Sequence, residues 1–308
     1  MRFSLSLFTA VLPFVAGAPA DGGMRRVPGM RADGVDVFLP PADALRAELA
    51  VPKVGDFPFA PFSQSYVKTA LAQSVDWRAK GLVTPAKDQG ATGTCGTFGR
   101  LAAAEGQFAR HAGPLTNFSE EEMYDCIGWD QDQFSYFSPK GFMTSEAYPF
   151  NGSAVPGGDR DPPVPGRPCR YDATKVVPKS GGGTFTNATG AAPSEDQLVA
   201  FVHHNGPTQT GIFSDVFGLR EKGCEATGTC WITEKMCASV KGKPIDHSIT
   251  LVGYGVDATN GPYWLVKNSW STAFANDGFI YVARGVNCGQ IACCGNLFTI
   301  GDPATYYE

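Results

Sequence analysis

Apolar residues recur at helical spacing directly after a glycine-rich segment, in the stretch from Gln89 to Arg110. Steps of three and four residues predict a helix that begins near Cys95, and Gly113 and Pro114 end it. The apolar positions of this pattern are Phe98, Leu101, Ala102, Phe108 and Ala109. The chain therefore places a cysteine in the first turn of a long helix, immediately after a turn.

Two further helices and three strands follow from the same pattern. Glu120–Cys126 is a second helical patch, and a capping box at Ser194–Gln197 opens a helix that runs through Val202. The strand candidates are Ser248–Tyr254, Tyr263–Lys267 and Phe279–Ala283. Helices gather in the first half and strands in the second, which predicts an α+β protein of two lobes with an active site at their junction.

The first seventy residues differ from the rest of the chain. Residues 1–20 have Arg2, an apolar core and small residues at the end, which predicts a secretory signal peptide cut after Ala20. A membrane anchor is the alternative, but the apolar core is too short to span a bilayer. Residues 21–70 are rich in Pro, Gly and Ala and contain no cysteine. We expect a removable prosegment there, with a disordered arm as the alternative.

Composition and charge argue against several classes of partner. The chain has 308 residues, 43% of them hydrophobic, and a formal net charge of −5. These values allow one large or two modest cores and argue against a nucleic-acid or anionic-membrane surface. Nine cysteines are an odd number for an oxidising compartment. The ninth is either a buried structural residue or a thiol kept for chemistry, and Cys95 is the best candidate because it lies far in sequence from the other eight.

Cys95 is a candidate nucleophile that needs a base. In the first turn of a helix, the macrodipole and the backbone N–H groups favour thiolate over thiol. The alternative is a small buried residue that packs the start of the helix. Of the four histidines, His111 lies too far along the same helix to reach the sulfur. His203 and His204 lie at a helix end, where we expect a solvated role. His247 opens a strand, where a base is held rigidly, and is therefore the candidate.

The second ring nitrogen of His247 needs a partner that orients it. Asn268 ends the neighbouring strand candidate and is the predicted orienter, because adjacent antiparallel strands would bring the two side by side. Asp246 competes for this role, but adjacent residues on a strand face opposite ways. Trp270 would cover the hydrogen bond from water. The Gln89 side chain would join the nucleophile's backbone N–H as a donor to an oxyanion.

Several motifs, in order, resemble those of the papain-like cysteine peptidases. The motifs are VDWRAKGLVTPAKDQG, the Gln89–Cys95 spacing, SEEEMYDC, DHSITLVGYG and YWLVKNSW. The likeness runs from about Leu71 to about Cys294. It implies a papain-like two-lobe fold, with a helical left lobe at about 71–185 and an antiparallel β-barrel-like right lobe at about 186–308. The active site would lie in the cleft between them.

The resemblance also implies roles for single residues and segments. The implied catalytic residues are Cys95 as nucleophile, His247 as acid and base, Asn268 as orienter and Gln89 as oxyanion donor. The implied substrate-binding residues are Gly93, Gly211, Ile245, Asp246 and Trp270. Residues 21–70 are implied to be a propeptide that inhibits the peptidase domain, 71–308, until it is removed.

The resemblance pairs Cys126 with Cys169 and leaves six cysteines for three bonds whose partners stay open. These six are Cys224, Cys230, Cys237, Cys288, Cys293 and Cys294. Zinc is the rival for this cluster, but secretion and the absence of paired C-x₂-C units argue against it. We therefore expect no metal and no cofactor. Sequons that predict surface glycosylation begin at Asn117, Asn151 and Asn187.

The chain departs from the family pattern near the nucleophile. The family usually has cysteine at the position of Thr92 and tryptophan at that of Gly96. Its Cys-Asn-Gly-Gly stretch after Cys126 is absent, and the cysteine of that stretch normally bonds the one replaced by Thr92, so both partners are lost together. The missing glycines normally pair with substrate backbone, and residues Trp129–Gln131 would have to rebuild that wall. A usual glycine and tryptophan are replaced by Ser271 and Phe274.

These features predict a thiol-dependent endopeptidase that works through an acyl-enzyme and is made as a secreted zymogen. The alternative, motivated by Gly96 and the missing glycine wall, is a weak or inactive protein of the same fold that binds peptides without cutting them. We expect Cys95 and His247 to form an ion pair over a mildly acidic range. We expect a monomer outside the cell or in a lysosome or vacuole. Its expected partners are a protein or peptide substrate, its own propeptide and cystatin-type inhibitors, with no nucleic acid and no membrane.

Overall fold

The computed structural model describes most of the region between residues 62 and 292, with short strands on either side. The described residues are 25–27, 37–39, 57–58, 62–111, 113–126, 141–151, 168–177, 185–189, 194–219, 229–292 and 297–300. The predicted signal peptide and the Trp129–Gln131 segment lie outside them, as do Cys224, Cys293 and Cys294. Within this part of the chain, no helix is both long and apolar enough to cross a membrane.

Helices and strands can be assigned throughout the described residues. The helices are α1 (Gln64–Leu71), α2 (Cys95–His111), α3 (Glu120–Cys126), α4 (Glu195–Asn205) and α5 (Glu234–Cys237). The strands are β1 (Arg25–Val27), β2 (Val37–Leu39), β3 (Phe57–Pro58), β4 (Val75–Asp76), β5 (Phe185–Thr189), β6 (Thr208–Ile212), β7 (Trp231–Ile232), β8 (His247–Asp257), β9 (Gly261–Lys267), β10 (Phe279–Ala283) and β11 (Leu297–Ile300). The predicted helices and the three predicted strands are therefore confirmed, with boundaries shifted by a few residues.

The capping box that predicts α4 forms only in part. The Ser194 hydroxyl accepts a hydrogen bond from the backbone N–H of Gln197 at 3.3 Å, and Gly206 ends the helix at a φ of 109°. The Gln197 side chain does not return to the cap. Its Oε1 accepts from the backbone N–H of Phe62 at 2.7 Å and its Nε2 donates to the carbonyl of the same residue at 3.0 Å. The helix start thus binds the segment that leads into α1.

The largest sheet has six strands in the order β4-β8-β9-β10-β7, with β6 paired to β8. Strands β8, β9 and β10 form an antiparallel meander, whereas β7 runs parallel to β10. The α+β class is confirmed, but the expected antiparallel, barrel-like lobe is an open, mixed sheet in the described residues. A physical reason is that the terminal strands β4 and β7 have only two residues each, too few to pair with each other and close the sheet.

Helix α2 packs on strand β8 at very short range. A Cβ atom built on Gly99 would lie 2.6 Å from the Ser248 hydroxyl, so no larger residue fits there without a shift. The Thr250 hydroxyl donates to the Gly99 carbonyl at 2.9 Å, which ties the helix backbone to the strand. The first turn of α2 is thereby fixed beside the first residues of β8.

A buried network of charges lies beneath this contact. Lys87 Nζ lies 2.6 Å from Glu105 Oε1 and 2.7 Å from Glu120 Oε1. The Thr84 hydroxyl donates to Glu105 at 2.6 Å and accepts from Lys267 Nζ at 2.7 Å. Because Lys267 belongs to β9 and Glu105 to α2, the network links the sheet to the helix.

Burial and neighbouring charge act in opposite directions on these groups. Burial alone would lower the pKa of Lys87, but Glu105 and Glu120 outweigh it and the pKa is raised. Burial raises the pKa of Glu120, although Lys87 opposes the shift. Burial lowers the pKa of Lys267 to about 8. The Lys87 cation is therefore the group that makes the two buried carboxylates tolerable.

Helix α1 docks on α4 through aromatic and histidine side chains. Tyr66 Oη lies 3.1 Å from His204 Nδ1, and Tyr254 Oη lies 2.8 Å from His203 Nδ1. The Tyr254 hydroxyl also donates to the carbonyl of Ala70 at 3.0 Å. Both histidines are half-buried, so the expectation of a solvated role is wrong. That expectation assumes an exposed end of α4, but α1 covers this end.

We predict that Lys87→Met lowers the free energy of unfolding by about 3–5 kcal/mol, because it leaves Glu105 and Glu120 buried together without their cation. Urea denaturation measures the effect. Lys175→Met is the matched control: it removes an exposed pair with Asp172 at 3.5 Å and should cost less than about 1 kcal/mol. Equal, small effects of the two variants would contradict this account of the network.

The contact of α1 with α4 should weaken as the pH falls. Burial first, and then neighbouring positive groups that include Arg110, lower the pKa values of His203 and His204 below 6.5. The folded state therefore binds fewer protons than the unfolded state, so this contribution to stability is complete above about pH 6.5 and is lost below it. We expect lower hydrogen-exchange protection factors in α1 at pH 5 than at pH 7. A His203→Gln/His204→Gln variant should lose that difference, and its persistence would refute the explanation.

Candidate active site

Cys95 is the first residue of α2, a helix of 17 residues. The Thr94 carbonyl accepts from the backbone N–H of Phe98 at 3.1 Å, so the first helical turn forms directly around the sulfur-bearing residue. Cys95 is buried and lies in no disulfide. The Cys95 sulfur thus lies at the positive end of a long helix, a position that favours the thiolate over the thiol.

One amide links the neighbours of Cys95 and His247. Gln209 Nε2, on β6, donates to the Gly96 carbonyl at 3.2 Å and to the Ser248 hydroxyl at 2.8 Å. Gly96 follows the cysteine and Ser248 follows the histidine in the chain. The structure therefore brings both candidate residues to the same junction of α2 and β8.

The histidine is held by Asn268, as the sequence predicts. His247 Nε2 lies 2.8 Å from Asn268 Oδ1, and both side chains are buried. The same Oδ1 accepts from the backbone N–H of Ser269 at 2.8 Å. Since a backbone N–H can only donate, this bond identifies the atom as oxygen, so Nε2 must carry a proton. Nδ1 is then the ring nitrogen that can exchange a proton with a sulfur.

Aromatic rings enclose the imidazole. The ring of Trp270 lies 4.8 Å from that of His247, and Phe217 meets the imidazole edge-on at 6.1 Å. Phe274 packs against both aromatic rings, at 5.3 Å from Trp270 and 5.5 Å from Phe217. The bond between the imidazole and Asn268 therefore lies in an apolar environment, where a hydrogen bond is stronger than in water.

The loop that carries Gln89 is paired to the loop that carries Asn268. The backbone N–H of Gln89 donates to the Ser269 carbonyl at 2.9 Å, and the N–H of Ser271 donates to the Lys87 carbonyl at 3.0 Å. The Ser269 hydroxyl donates to Gln89 Oε1 at 2.6 Å. Gln89 Nε2 donates to the Thr92 carbonyl at 2.8 Å, which leaves its second N–H for another acceptor.

Asp246 faces away from the imidazole that it precedes. Its Oδ1 accepts from the backbone N–H of Ser214 at 2.7 Å. The alternation of side chains along an extended chain explains this orientation. Asp246 is thus engaged on the 3₁₀ turn at Ser214–Leu219, and Asn268 is the group within reach of the imidazole.

The remaining substrate-binding candidates lie around the same junction. Gly211 pairs with Ser248 across β6 and β8, and Gly93 lies two residues before Cys95 in the loop. Ile245 is buried just before β8. These placements are compatible with walls of a cleft, but the role of each residue stays a prediction.

The structure describes part of the predicted disulfides and sequons. The structure bonds Cys126 to Cys169, as the resemblance implies, and Cys237 to Cys288. Cys230 is also disulfide-bonded. Asn117 and Asn151 are exposed, whereas the side chain of Asn187 lies outside the described ones. Among the described residues, no cluster of potential ligands could hold a metal ion.

Sequence analysis missed the residues that support the site. Gln209 gave no signal, because its two partners are far away in the chain. Ser269 had a weak sequence signal, because it is a small polar residue directly after Asn268. Thr92 was noticed only as a departure from the family pattern, although it bonds Gln89 directly. Local patterns thus point to the candidate reactive groups, whereas their supporting contacts become visible only in the fold.

Comparison with known proteins gives a consistent picture. A family model described as papain family cysteine protease matches residues 71–296. Procathepsin L of Felis catus is 31% identical over 71% of this chain and 63% of its own length. A cathepsin L-like protein of Caenorhabditis elegans is 33% identical over 71% of this chain and 62% of its own length. The chain thus spans less than two thirds of these relatives.

A solved structure shares the fold. Digestive procathepsin L 3 of the Tenebrio molitor larval midgut superposes with a TM-score of 0.61 and 26% sequence identity. The likeness covers 85% of this chain and 79% of that one.

Asn268→Ala should lower the free energy of unfolding by about 1–3 kcal/mol, because a buried imidazole N–H loses its acceptor. Nitrogen NMR of the ring should also show that His247 no longer keeps its proton on Nε2 alone. Asn260→Ala, in the turn between β8 and β9, is the control and should leave the tautomer unchanged. An unaltered tautomer in Asn268→Ala would mean that another group orients the ring.

Proposed function

Since the chain belongs to the papain family of cysteine proteases, we propose that it is a thiol-dependent endopeptidase made as an inactive proform. The observation that carries this proposal is the bond between His247 and Asn268 at 2.8 Å, beside a cysteine that starts a helix and lies in no disulfide. A nucleophile, a base and an orienter are the three groups that acyl transfer needs.

In the first half of the proposed reaction, Cys95 Sγ attacks the carbonyl carbon of a peptide bond. The carbon–sulfur bond forms while the carbonyl electron pair moves onto oxygen. The backbone N–H of Cys95 and the second N–H of Gln89 Nε2 stabilise that oxyanion. His247 then gives its proton to the leaving nitrogen, the carbon–nitrogen bond breaks, and a thioester remains on the enzyme.

Water completes the proposed reaction. His247 takes a proton from a water molecule, whose oxygen forms a bond to the thioester carbon. The carbon–sulfur bond breaks, which releases the acid and restores the thiolate. Asn268 keeps the imidazole in one orientation through both halves, because its amide carries no charge that changes between them. The aromatic rings around His247 exclude other proton donors.

Three observations support a proform. Cys95, Gln89 and His247 are each 0% exposed, so a peptide cannot reach them until the site opens. The family model begins at residue 71, which supports a boundary between propeptide and peptidase near Ala70. All of helix α1 except Leu71 precedes this boundary, and Tyr66 of that helix docks on α4. We propose that residues 21–70 inhibit the enzyme and are removed on activation.

The proposed location is the secretory pathway, with the enzyme outside the cell or in a lysosome or vacuole. Support comes from the predicted signal peptide, the disulfides of Cys126–Cys169 and Cys237–Cys288, and the exposed sequons at Asn117 and Asn151. The proposed partners are a protein or peptide substrate and the chain's own propeptide. Cystatin-type inhibitors and a monomeric state stay predictions.

The processed protein should cleave unfolded casein at pH 5 under reducing conditions, and Cys95→Ser should abolish this activity. Gln89→Ala should lower kcat by about a hundred-fold or more, because one oxyanion donor is lost. A peptidyl epoxide should label Cys95 after processing but not before, since the site is buried in the proform. Mass mapping of the adduct identifies the labelled residue.

The alternative of a binding module makes the opposite prediction. It would leave a folded, unprocessed protein that binds peptides without cutting them, as the departure at Gly96 allows. Turnover that survives in Cys95→Ser, or the absence of any epoxide adduct after acidification, would reject the endopeptidase.

A further inference from the structure

Two buried threonines lie between the candidate oxyanion donor and the candidate nucleophile. Thr92 is 3% and Thr94 is 0% exposed. Their Oγ1 atoms lie 2.6 Å apart, and Thr92 Oγ1 lies 2.6 Å from the carbonyl oxygen of Gln89. Neither threonine is required by the reaction as derived above, so their hydroxyls need another explanation.

The direction of these hydrogen bonds follows from counting protons. A hydroxyl has one proton, and Thr92 must donate it to the Gln89 carbonyl, which can only accept. The bond between the two hydroxyls therefore has Thr94 as its donor. The result is a directed relay in which Thr94 donates to Thr92 and Thr92 donates to the backbone of Gln89.

The side chain of Gln89 is also hydrogen-bonded to one of these threonines and to Ser269. Gln89 Nε2 donates to the Thr92 carbonyl at 2.8 Å. In the other direction, the Gln89 carbonyl accepts from the Thr92 hydroxyl and, at 3.4 Å, from the Thr92 backbone N–H. From the opposite side, the Ser269 hydroxyl donates to Gln89 Oε1 at 2.6 Å. Both ends of the amide are thus held, and the direction of its second N–H is set by the position of Thr92.

We propose that the hydroxyls of Thr94 and Thr92 are positioning groups that aim the second N–H of Gln89 Nε2 at the oxyanion of the reaction. The inference rests on the proposed function, because without acyl transfer there is no oxyanion to meet. It assigns the two threonines no contact with substrate. They act through Gln89 alone, and this restriction makes the proposal testable.

A merely structural role would have different consequences. Two buried hydroxyls that only satisfy each other would affect folding stability and leave the oxyanion donor in place. If they positioned the sulfur instead, the reactivity of Cys95 toward a simple alkylating agent would change. Alkylation by iodoacetamide forms no oxyanion, so it separates an effect on Cys95 from an effect on Gln89.

The test compares Thr94→Val, Thr94→Ser and Thr97→Val in the wild-type background and in Gln89→Ala. Valine keeps the shape of threonine without its hydroxyl, and serine keeps the hydroxyl. Thr97 is the matched control, since it is also buried, lies in the first turn of α2, and has a hydroxyl without a hydrogen-bond partner in the described part of the chain. kcat and KM are measured on the fluorogenic peptidyl amide that the processed wild-type protein cleaves best.

We expect Thr94→Val to lower kcat by about ten-fold, less than the loss of the donor itself, with KM changed less than about two-fold. In Gln89→Ala the same substitution should have no further effect, because its target is already absent. Thr94→Ser should restore most of the activity, Thr97→Val should match the wild type, and iodoacetamide should react with Cys95 at the wild-type rate in every variant.

Several results would overturn the relay. An equal loss of kcat in both backgrounds would mean that Thr94 acts elsewhere, and no loss at all would mean that the hydroxyls are only structural. A changed alkylation rate would assign the effect to Cys95. If Thr94→Val does not fold, Thr92→Val enters the same cycle with the same criteria. Wild-type protein without Cys95-dependent turnover would reject the proposed function and the relay together, whereas normal turnover with an inert Thr94 rejects the relay alone.

Discussion

A backbone-to-side-chain contact between helix α2 and strand β8 determines where the sulfur and the imidazole lie. Gly99 has no side chain, and the Ser248 hydroxyl occupies the space that a Cβ would need. Gln209 then bonds the residue after Cys95 and the residue after His247 with one amide. Because the two elements cannot separate or rotate without breaking these bonds, a helix terminus and a strand terminus meet in one geometry. The proposed reaction depends on that geometry, since acyl transfer requires groups placed within a fraction of an ångström.

The buried charges beneath the contact of α2 with β8 favour this one arrangement of the segments. Lys87, Glu105 and Glu120 are removed from water together, which costs several kcal/mol per ion before their mutual attraction is counted. Lys87 precedes the Gln89 loop, Glu105 lies in α2, and Lys267 directly precedes Asn268. The network therefore joins the segments that carry Gln89, Cys95 and Asn268. An ion cluster of this kind adds little net stability, but a shift of one segment would leave a buried charge without its partner. The network therefore raises the free energy of alternative arrangements of these segments.

Much of this architecture could be predicted from local patterns. The remainder could not, because it depends on contacts between residues far apart in the chain. The helix at Cys95, the strand at His247 and the orienter Asn268 each follow from spacing or from the needs of a neighbouring group. The contacts of Gln209, of Ser269 and of α1 with the histidines of α4 join residues 39 to 180 positions apart in the chain. No local pattern reports such contacts. The parallel strand β7 was missed because two residues carry no periodic signal. In the sequence, Thr92 stands out as the loss of a cysteine, and its hydroxyl gains a meaning only through its bond to Gln89.

The contacts that arrange the site lie within one continuous part of the chain. Gln89 is held by Thr92 within its own loop and by Ser269 across the cleft. His247 is held by Asn268, and the aromatic rings around it belong to the same half of the chain. All of these contacts lie within residues 71–296, the range that the family model matches. Removal of the residues before position 71, as proposed for activation, would therefore leave these contacts in place. This arrangement agrees with the proposed proform, because preorganisation has to be complete before the substrate arrives.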